Sequence, residues 1–420
     1  KRVMEKMVIK GGNRLSGRVR VSGAKNAALP ALSATLLSDE ESVFSGFPPV
    51  ADIATMGKTL RELGSEVESA GEYIRVKPGD SEKFTAPYRL VKTMRASVLV
   101  LGPLLAKRRR AKVSLPGGCA IGARPIDMHL GGFQAMGAEI KIRHGYVEGQ
   151  VKELRGARIH FHRSTVTGTE NVMMAACLAQ GETIVENAAL EPEVVDLANL
   201  LNQMGARISG AGTEQIRIEG VKKMTGARYR IIPDRIEAGT LLIAGAMSGG
   251  EVQVEGLVFD HQKVLVKKLL AAGIKVEHEY DWIRVTRTGK AKAIDIETEP
   301  FPGFPTDLQA QMMALLSTAE GTGTITENIF ENRFMHVSEL DRMGANIRVE
   351  GKCAVVRGVE HLSGAPVMAS DLRASASLIL AGLSAEGETE ISRIYHLDRG
   401  YERLDLKLAQ LGADIRRVKE

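Results

Sequence analysis

The 420-residue sequence predicts an α/β protein of two domains, each made of three copies of one structural unit. The first observation behind this expectation is a helix end followed by glycine and a short strand, which recurs six times. It stands at Leu63-Gly64-Ser65, Met136-Gly137-Ala138, Met204-Gly205-Ala206, Ala272-Gly273-Ile274, Met343-Gly344-Ala345 and Leu411-Gly412-Ala413. The glycines are 73, 68, 68, 71 and 68 residues apart, a regularity that marks repeated units. Each is placed to take the left-handed conformation that ends a helix before a strand. The second observation is a second helix in every unit, rich in Ala, Leu, Met and Ser, expected over Asn26–Leu37, Thr93–Ala106, Thr169–Ala179, Glu237–Met247, Asp307–Thr318 and Asp371–Ser384. Each leads through a polar turn into an alternating strand such as Thr183–Glu186 or Glu251–Glu255.

The third observation joins the two ends of the chain. Only eight residues follow Gly412, so the last unit is short, and its missing part stands at the amino terminus. Val8-Ile9-Lys10-Gly11 with Leu15-Ser16-Gly17 resembles Ile216-Arg217-Ile218-Glu219-Gly220 with Met224-Thr225-Gly226, and Val355-Val356-Arg357-Gly358 with Leu362-Ser363-Gly364. The domains expected are therefore residues 22–230 and residues 1–21 plus 231–420, joined by crossings near 21 and 230, with the active site in the cleft between them. The length agrees, because 420 residues exceed what one core supports.

Composition removes several classes of function. Apolar residues make up 44%, and the 56 basic against 51 acidic side chains leave a net charge of +5, too small and dispersed to point to nucleic acid. The densest basic run, Lys107-Arg108-Arg109-Arg110, carries no aromatic residue and reads as a solvated turn between helix and strand. Cys119, Cys177 and Cys353 form no C-x-x-C pair, so neither zinc nor a disulfide framework is expected. No stretch approaches the ~18 apolar residues of a membrane span, and the amino terminus shows no apolar signal core. A soluble, cytoplasmic protein with no membrane or obligate protein partner is expected.

The chemistry collects in one loop and at six helix starts. Leu115-Pro116-Gly117-Gly118-Cys119-Ala120-Ile121-Gly122-Ala123-Arg124-Pro125 keeps Cys119 out of regular structure and places a guanidinium near a thiol. That pairing suggests acid–base or covalent work on an anionic substrate. Polar signatures open the Ala-rich helices: Lys25-Asn26, Arg95, Thr169-Glu170-Asn171, Asp234-Arg235-Ile236-Glu237, Asp307 and Asp371-Leu372-Arg373. Helix amino termini carry unpaired N–H groups and partial positive charge, so six such ends with Lys25, Arg95, Arg235 and Arg373 suit a phosphate-bearing substrate. The alternative is that Asp307 and Asp371 are helix caps and the arginines are solvated. Asp307 is expected to begin a surface-facing helix. There is no G-x-G-x-x-G, G-x-x-x-x-G-K-[ST] or G-x-S-x-G sequence. A Cys119–His129 hydrolase pair lacks an identifiable orienting group. His336 and His396 read as structural hydrogen-bonders.

With these residues assembled, the chain resembles the UDP-N-acetylglucosamine enolpyruvyl transferases from about Met7 to Lys419. The resemblance rests on ordered motifs: Ser22-Gly23-Ala24-Lys25-Asn26, Met94-Arg95-Ala96-Ser97, the Cys119 loop, Pro233-Asp234-Arg235-Ile236-Glu237, Phe304-Pro305-Thr306-Asp307, Phe330-Glu331-Asn332-Arg333-Phe334-Met335-His336, Asp371-Leu372-Arg373-Ala374-Ser375 and Asp398-Arg399-Gly400-Tyr401-Glu402. It implies two inside-out α/β barrel domains of three βαβαββ repeats each. It also implies transfer of the enolpyruvyl group of phosphoenolpyruvate to the 3′-hydroxyl of a UDP-sugar, with release of phosphate and without metal or organic cofactor.

By the same resemblance Cys119 is the acid that protonates the methylene carbon, and Asp307 takes the hydroxyl proton. Lys25, Asn26, Arg124, Arg399 and Arg373 match the phosphoenolpyruvate side. Asn26, Arg95, Arg124, Pro125, Ile126, Asp127, Met128, His129, Ser164, Thr165, Val166, Thr167, Asp307, Ile329 and Arg333 match the UDP-sugar side. The chain departs from the family at Arg163-Ser164-Thr165-Val166-Thr167-Gly168, where many relatives carry Lys or Pro near Ser-Val-Gly. Among the cations Asp307 should have a lowered pKa and act through positioning more than as a strong free base. Two alternatives stay open: a shikimate-3-phosphate enolpyruvyl transferase, and an inactive sugar-phosphate-binding protein on the same scaffold.

Overall fold

The structure is a computed structural model and describes residues 5–79, 82–115 and 126–419. The described residues divide into two compact units. One takes the chain up to Ser22 and from Pro233 onward; the other lies between Gly23 and Ile232.

Each unit carries three four-stranded sheets of one design, with a parallel pair at one edge and an antiparallel remainder. In one of them Arg158–His160 runs parallel to Glu182–Glu186, which is antiparallel to Gln215–Glu219, and that strand is antiparallel to Arg207–Ser209. The strand Glu5–Lys10 is antiparallel to both Glu388–Ser392 and Asp414–Lys419, so the two ends of the chain complete one sheet. Its likeness to the segments near 216 and 355 has a physical origin. Glu5–Lys10, Gln215–Glu219 and Cys353–Arg357 hold the same third place in their sheets; the latter two bury alternate residues there, and the first buries Met7, Val8 and Ile9 in succession. Two further parallel pairings close the units: Ser16–Arg20 with Glu251–Glu255, and Arg228–Arg230 with Ser42–Ser45.

Inside the sheets lie the Ala-rich helices. In the unit containing both termini, Arg235–Ser248, Gln309–Leu316 and Leu372–Ser384 pack on one another. Every residue of Gln309–Leu316 is buried, as is every residue from Arg373 to Leu383. A helix covered on all sides cannot show an apolar stripe, which is why small-residue composition rather than a 3.6-residue period marks these segments. In the other unit Lys25–Ala34, Val166–Ala176 and Leu101–Arg108 form the corresponding centre. Each unit is thus an inside-out α/β barrel, with helices within and sheets outside.

The six repeat glycines all take left-handed backbone, with φ of 90, 97, 98, 81, 89 and 103° at Gly64, Gly137, Gly205, Gly273, Gly344 and Gly412. Two expected helices begin differently. Thr93–Ala106 is a 3-10 helix, Arg95–Val100, followed by the α-helix Leu101–Arg108, because Pro103 has no N–H to give the preceding turn. The helix after Asp307 starts as a 3-10 turn, Thr306–Leu308, and is buried, not surface-facing: its side chains fill the centre of the barrel. The basic run is a turn, with the helix ending at Arg108, Arg109 at φ 60° and a strand starting at Arg110. Lys107 and Arg110 pair there with Asp39 and Glu82. No helix among the described residues is long and apolar enough to cross a membrane.

Candidate functional site

In the unit containing both termini the polar groups gather at the starts of the three core helices. Asp234 accepts the N–H groups of Ile236 and Glu237 at 2.8 and 3.0 Å, and Asp371 accepts those of Arg373 and Ala374 at the same distances. These carboxylates occupy the helix ends that would otherwise draw an anion, so attraction here comes from arginine. Asp307 has a different task. Arg333 donates to its Oδ1 at 2.8 Å and Arg373 to its Oδ2 at 2.9 Å. Both guanidiniums are buried, whereas the Asp307 side chain keeps 27% of its surface exposed. A carboxylate held by two cations and still open to solvent can meet a substrate hydroxyl.

Arg373 is kept firmly protonated. Burial pulls its pKa down, but Asp307, Tyr401 and Asp234 more than offset this. The loop carrying Ile329 and Arg333 is tied to Asp307 through Glu327, a buried carboxylate that accepts from the Thr298 and Thr306 hydroxyls at 2.9 Å. It also accepts the N–H groups of Ile329 and Phe330 at 2.8 and 3.1 Å. Arg333 lies over the Phe330 ring at 5.5 Å. Arg399 is half-buried beside His396, whose pKa is lowered by burial and then by the Arg399 charge. His336 is buried, and its Nε2 has no hydrogen-bond partner among the described residues.

In the unit from Gly23 to Ile232 a second cluster forms around His129. The Gly102 N–H donates to Asn171 Oδ1 at 2.7 Å, which fixes the amide so that its nitrogen donates to the Val98 carbonyl at 2.9 Å and to His129 Nδ1 at 3.0 Å. Nδ1 therefore accepts, the ring proton is on Nε2, and that nitrogen donates to Thr167 Oγ1 at 3.2 Å. Burial, then the nearby Arg95 charge, lowers the His129 pKa to about 4, with Asp127 opposing. The imidazole is neutral at physiological pH and positions Thr167. Thr165 caps the helix Val166–Ala176 through Gly168 N–H at 3.2 Å, and Ser164 to Thr167 are half-exposed around that end. The structure thus brings Arg95, Asp127, His129 and residues 164–167 together.

Lys25 opens its helix from a buried position, with Nζ 3.3 Å from Asp52, and Asn26 beside it is exposed. The Ser22-Gly23-Ala24 approach admits only glycine at 23, where an added Cβ would lie 1.5 Å from the Gly46 carbonyl oxygen. Ile126 and Met128 belong to the apolar core, which leaves their backbone as the part able to meet a ligand. Cys119, Arg124 and Pro125 lie outside the described residues. Asp52, Glu327, Gln311 and Thr240 escaped sequence reasoning. They are buried polar residues with no local pattern, recognisable only through their partners.

Charged and hydrogen-bonding groups grouped at core-helix starts of two inside-out barrels define a class: α/β enzymes that handle small anionic substrates. Over residues 9–408 the chain matches the family described as EPSP synthase (3-phosphoshikimate 1-carboxyvinyltransferase). It is 58% identical over 417 residues to the UDP-N-acetylglucosamine 1-carboxyvinyltransferase of Geotalea daltonii, covering 99% of this chain and 100% of that one. With the same coverages it is 59% identical over 419 residues to the enzyme of that name from Myxococcus xanthus. The solved structure of the enolpyruvyl transferase NikO from Streptomyces tendae matches with a TM-score of 0.88 at 25% identity, over 100% of both chains. EPSP synthase from Acinetobacter baumannii shares the fold at a TM-score of 0.76 and 18% identity, over 99% of this chain and 100% of that one. The chain belongs to the enolpyruvyl (1-carboxyvinyl) transferase family, among the UDP-N-acetylglucosamine 1-carboxyvinyltransferases.

Proposed function

We propose that this chain transfers the enolpyruvyl group of phosphoenolpyruvate to the 3′-hydroxyl of UDP-N-acetylglucosamine, releasing phosphate, as a cytoplasmic step in making peptidoglycan precursors. The observation that carries the reading is the Asp307 carboxylate held between Arg333 and Arg373 while still partly exposed. The full-length identity of 58% to a relative of that name supports the choice of acceptor.

Asp307 receives the proton of the sugar hydroxyl as its oxygen bonds to C2 of phosphoenolpyruvate, and Cys119 delivers a proton to C3. Return of a C3 proton to the Cys119 thiolate, with cleavage of the bond from C2 to the phosphate oxygen and transfer of the Asp307 proton to the departing phosphate, then regenerates the double bond, both side chains and free phosphate. Asp307 acts because the hydroxyl is presented to it as the new bond forms. Lys25, Arg124, Arg399 and Arg373, with Asn26, meet the phosphate and carboxylate of phosphoenolpyruvate. Its roughly three negative charges call for several charge-assisted bonds of about 1.5–3 kcal/mol each. Arg95, residues 125–129, residues 164–167, Ile329 and Arg333 serve the nucleotide sugar, with His129 holding Thr167 by its single N–H.

The discriminating experiment is phosphate release from phosphoenolpyruvate with UDP-N-acetylglucosamine, with shikimate 3-phosphate and with no acceptor. Release only with the nucleotide sugar is expected. Release with shikimate 3-phosphate alone would move the chain to the other branch of the family, and binding without turnover would make it a sensor.

A further inference from the structure

The Asp307 carboxylate is held from one side by Arg373, and Arg373 is itself held by a group remote in sequence. Tyr401 is buried, and the Arg373 guanidinium carbon lies 5.2 Å from its ring centroid. The Tyr401 hydroxyl makes its hydrogen bonds to other groups of the core. It is 2.8 Å from Thr240 Oγ1 and 3.2 Å from Gln311 Nε2. Thr240 stands 2.8 Å from the Ile236 carbonyl, which can only accept, so the threonine proton is used there. The tyrosine O–H therefore donates to Thr240, and its oxygen accepts from Gln311. Gln311 Nε2 also lies 2.9 Å from the Asp307 backbone carbonyl and 3.1 Å from Thr240 Oγ1, so its two N–H groups are shared among three acceptors.

These contacts form a closed ring: the Asp307 carboxylate on Arg373, Arg373 over the Tyr401 ring, the Tyr401 hydroxyl with Gln311, and Gln311 on the Asp307 carbonyl. One tyrosine, by its ring on Arg373 and its hydroxyl on Gln311, thus supports both ends of the residue that is to meet the substrate hydroxyl. We propose that Tyr401 is a positioning residue for Asp307, acting through Arg373 on the carboxylate and through Gln311 on the backbone, with Thr240 setting the direction of its proton. The proposal rests on the role given to Asp307 above. Motif reading places Tyr401 beside Arg399 without assigning it a task. The ring supplies one, because a misplacement of about 1 Å at a reacting group costs on the order of 10²-fold in rate.

The experiment compares Tyr401→Phe, Thr240→Val, Thr240→Ser and the Tyr401→Phe/Thr240→Val double variant by steady-state phosphate release, with thermal unfolding of each. Tyr401→Phe and Thr240→Val should each lower kcat about 10- to 100-fold with both KM values within about threefold. Thr240→Ser, which restores the acceptor, should stay within about twofold of the parent, and the double variant should be no worse than the poorer single one. Should Tyr401→Phe fail to fold, Thr240→Val against Thr240→Ser carries the same comparison. A kcat within twofold in Tyr401→Phe, or losses that multiply in the double variant, would overturn the proposal. A parent without turnover strikes the activity instead of the ring. The crystal structure of Tyr401→Phe then decides: Gln311 should leave its place on the Asp307 carbonyl, and an unmoved Gln311 would refute the positioning role.

Discussion

Asp307 and its two arginines show how one carboxylate can be both a functional group and a structural need. Asp307→Ala should lower turnover by on the order of 10²–10⁴. Because it leaves two buried guanidiniums without their shared partner, it should also cost about 3–5 kcal/mol of stability. Asp307→Asn keeps the shape and should lose activity with less loss of melting temperature, so kinetics with calorimetry on the two variants separates the roles. Cys119 makes a different demand: if it delivers a proton, Cys119→Asp should retain substantial activity and Cys119→Ser should be nearly inactive, since a hydroxyl is a far poorer acid than a thiol near pKa 8.5. An inactive Asp variant in the phosphate assay would remove that role. At His129 the sign of the pH effect follows from a folded pKa of about 4 below an unfolded value near 6.5. The unfolded chain binds the extra proton, so the contribution is complete above pH 6.5 and is lost as pH falls toward 4. Against His129→Gln, urea unfolding should show the advantage of the parent shrinking by about 3 kcal/mol across that window. A pH-independent difference would contradict the neutral tautomer. Asp307 and Arg373 were legible in the sequence because each stands at the start of a repeated Ala-rich helix, and Arg333 only through the family motif Phe330-Glu331-Asn332-Arg333-Phe334-Met335-His336. Tyr401's partners were not, since Gln311 is 90 and Thr240 161 residues away in the chain.

The six core helices were visible as elements before their packing was, and the difference is instructive. Ala-, Ser- and Met-rich segments between regularly spaced glycines announce helices, but a helix buried on every face has no polar side to mark its start and end. The 3-10 beginnings at Arg95 and Thr306 and the burial of Gln309–Leu316 were accordingly missed. Close helix contact also carries the chemistry of the His129 cluster. A Cβ at Gly102 would stand 2.3 Å from the Asn171 carbonyl oxygen and 2.6 Å from its Oδ1, so Gly102→Ala must push the helices Leu101–Arg108 and Val166–Ala176 apart. The expected result is a loss of about 1–3 kcal/mol in denaturant unfolding. The Asn171 bond that holds His129 in one tautomer weakens with it, and imidazole NMR should report the change. Wild-type stability and an unchanged imidazole spectrum would mean the contact relaxes without cost.

At the scale of the molecule, six copies of one pattern make two inside-out barrels, and the chain ends meet in one of them. Met7 and Ile9 are wholly buried in a strand bonded on both sides, so Ile9→Asp should unfold that unit cooperatively. A circular-dichroism melt with the parent midpoint would contradict the inner place of that strand. This layout was legible because repetition is a long-range signal: the spacing of Gly64 to Gly412 and the likeness of residues 8–17 to 216–226 survive the drift of individual side chains. What repetition cannot disclose is which copy has acquired chemistry, and only the unlike residues at equivalent helix starts, Lys25 against Asp307 against Asp371, mark that. The most direct measurement is identification of the product formed from phosphoenolpyruvate and UDP-N-acetylglucosamine, by NMR and phosphate assay together. The expected result is a vinyl ether on the 3′-oxygen of the sugar with one phosphate released per ether. Phosphate without a vinyl ether, or an ether formed only on shikimate 3-phosphate, would contradict the proposed activity.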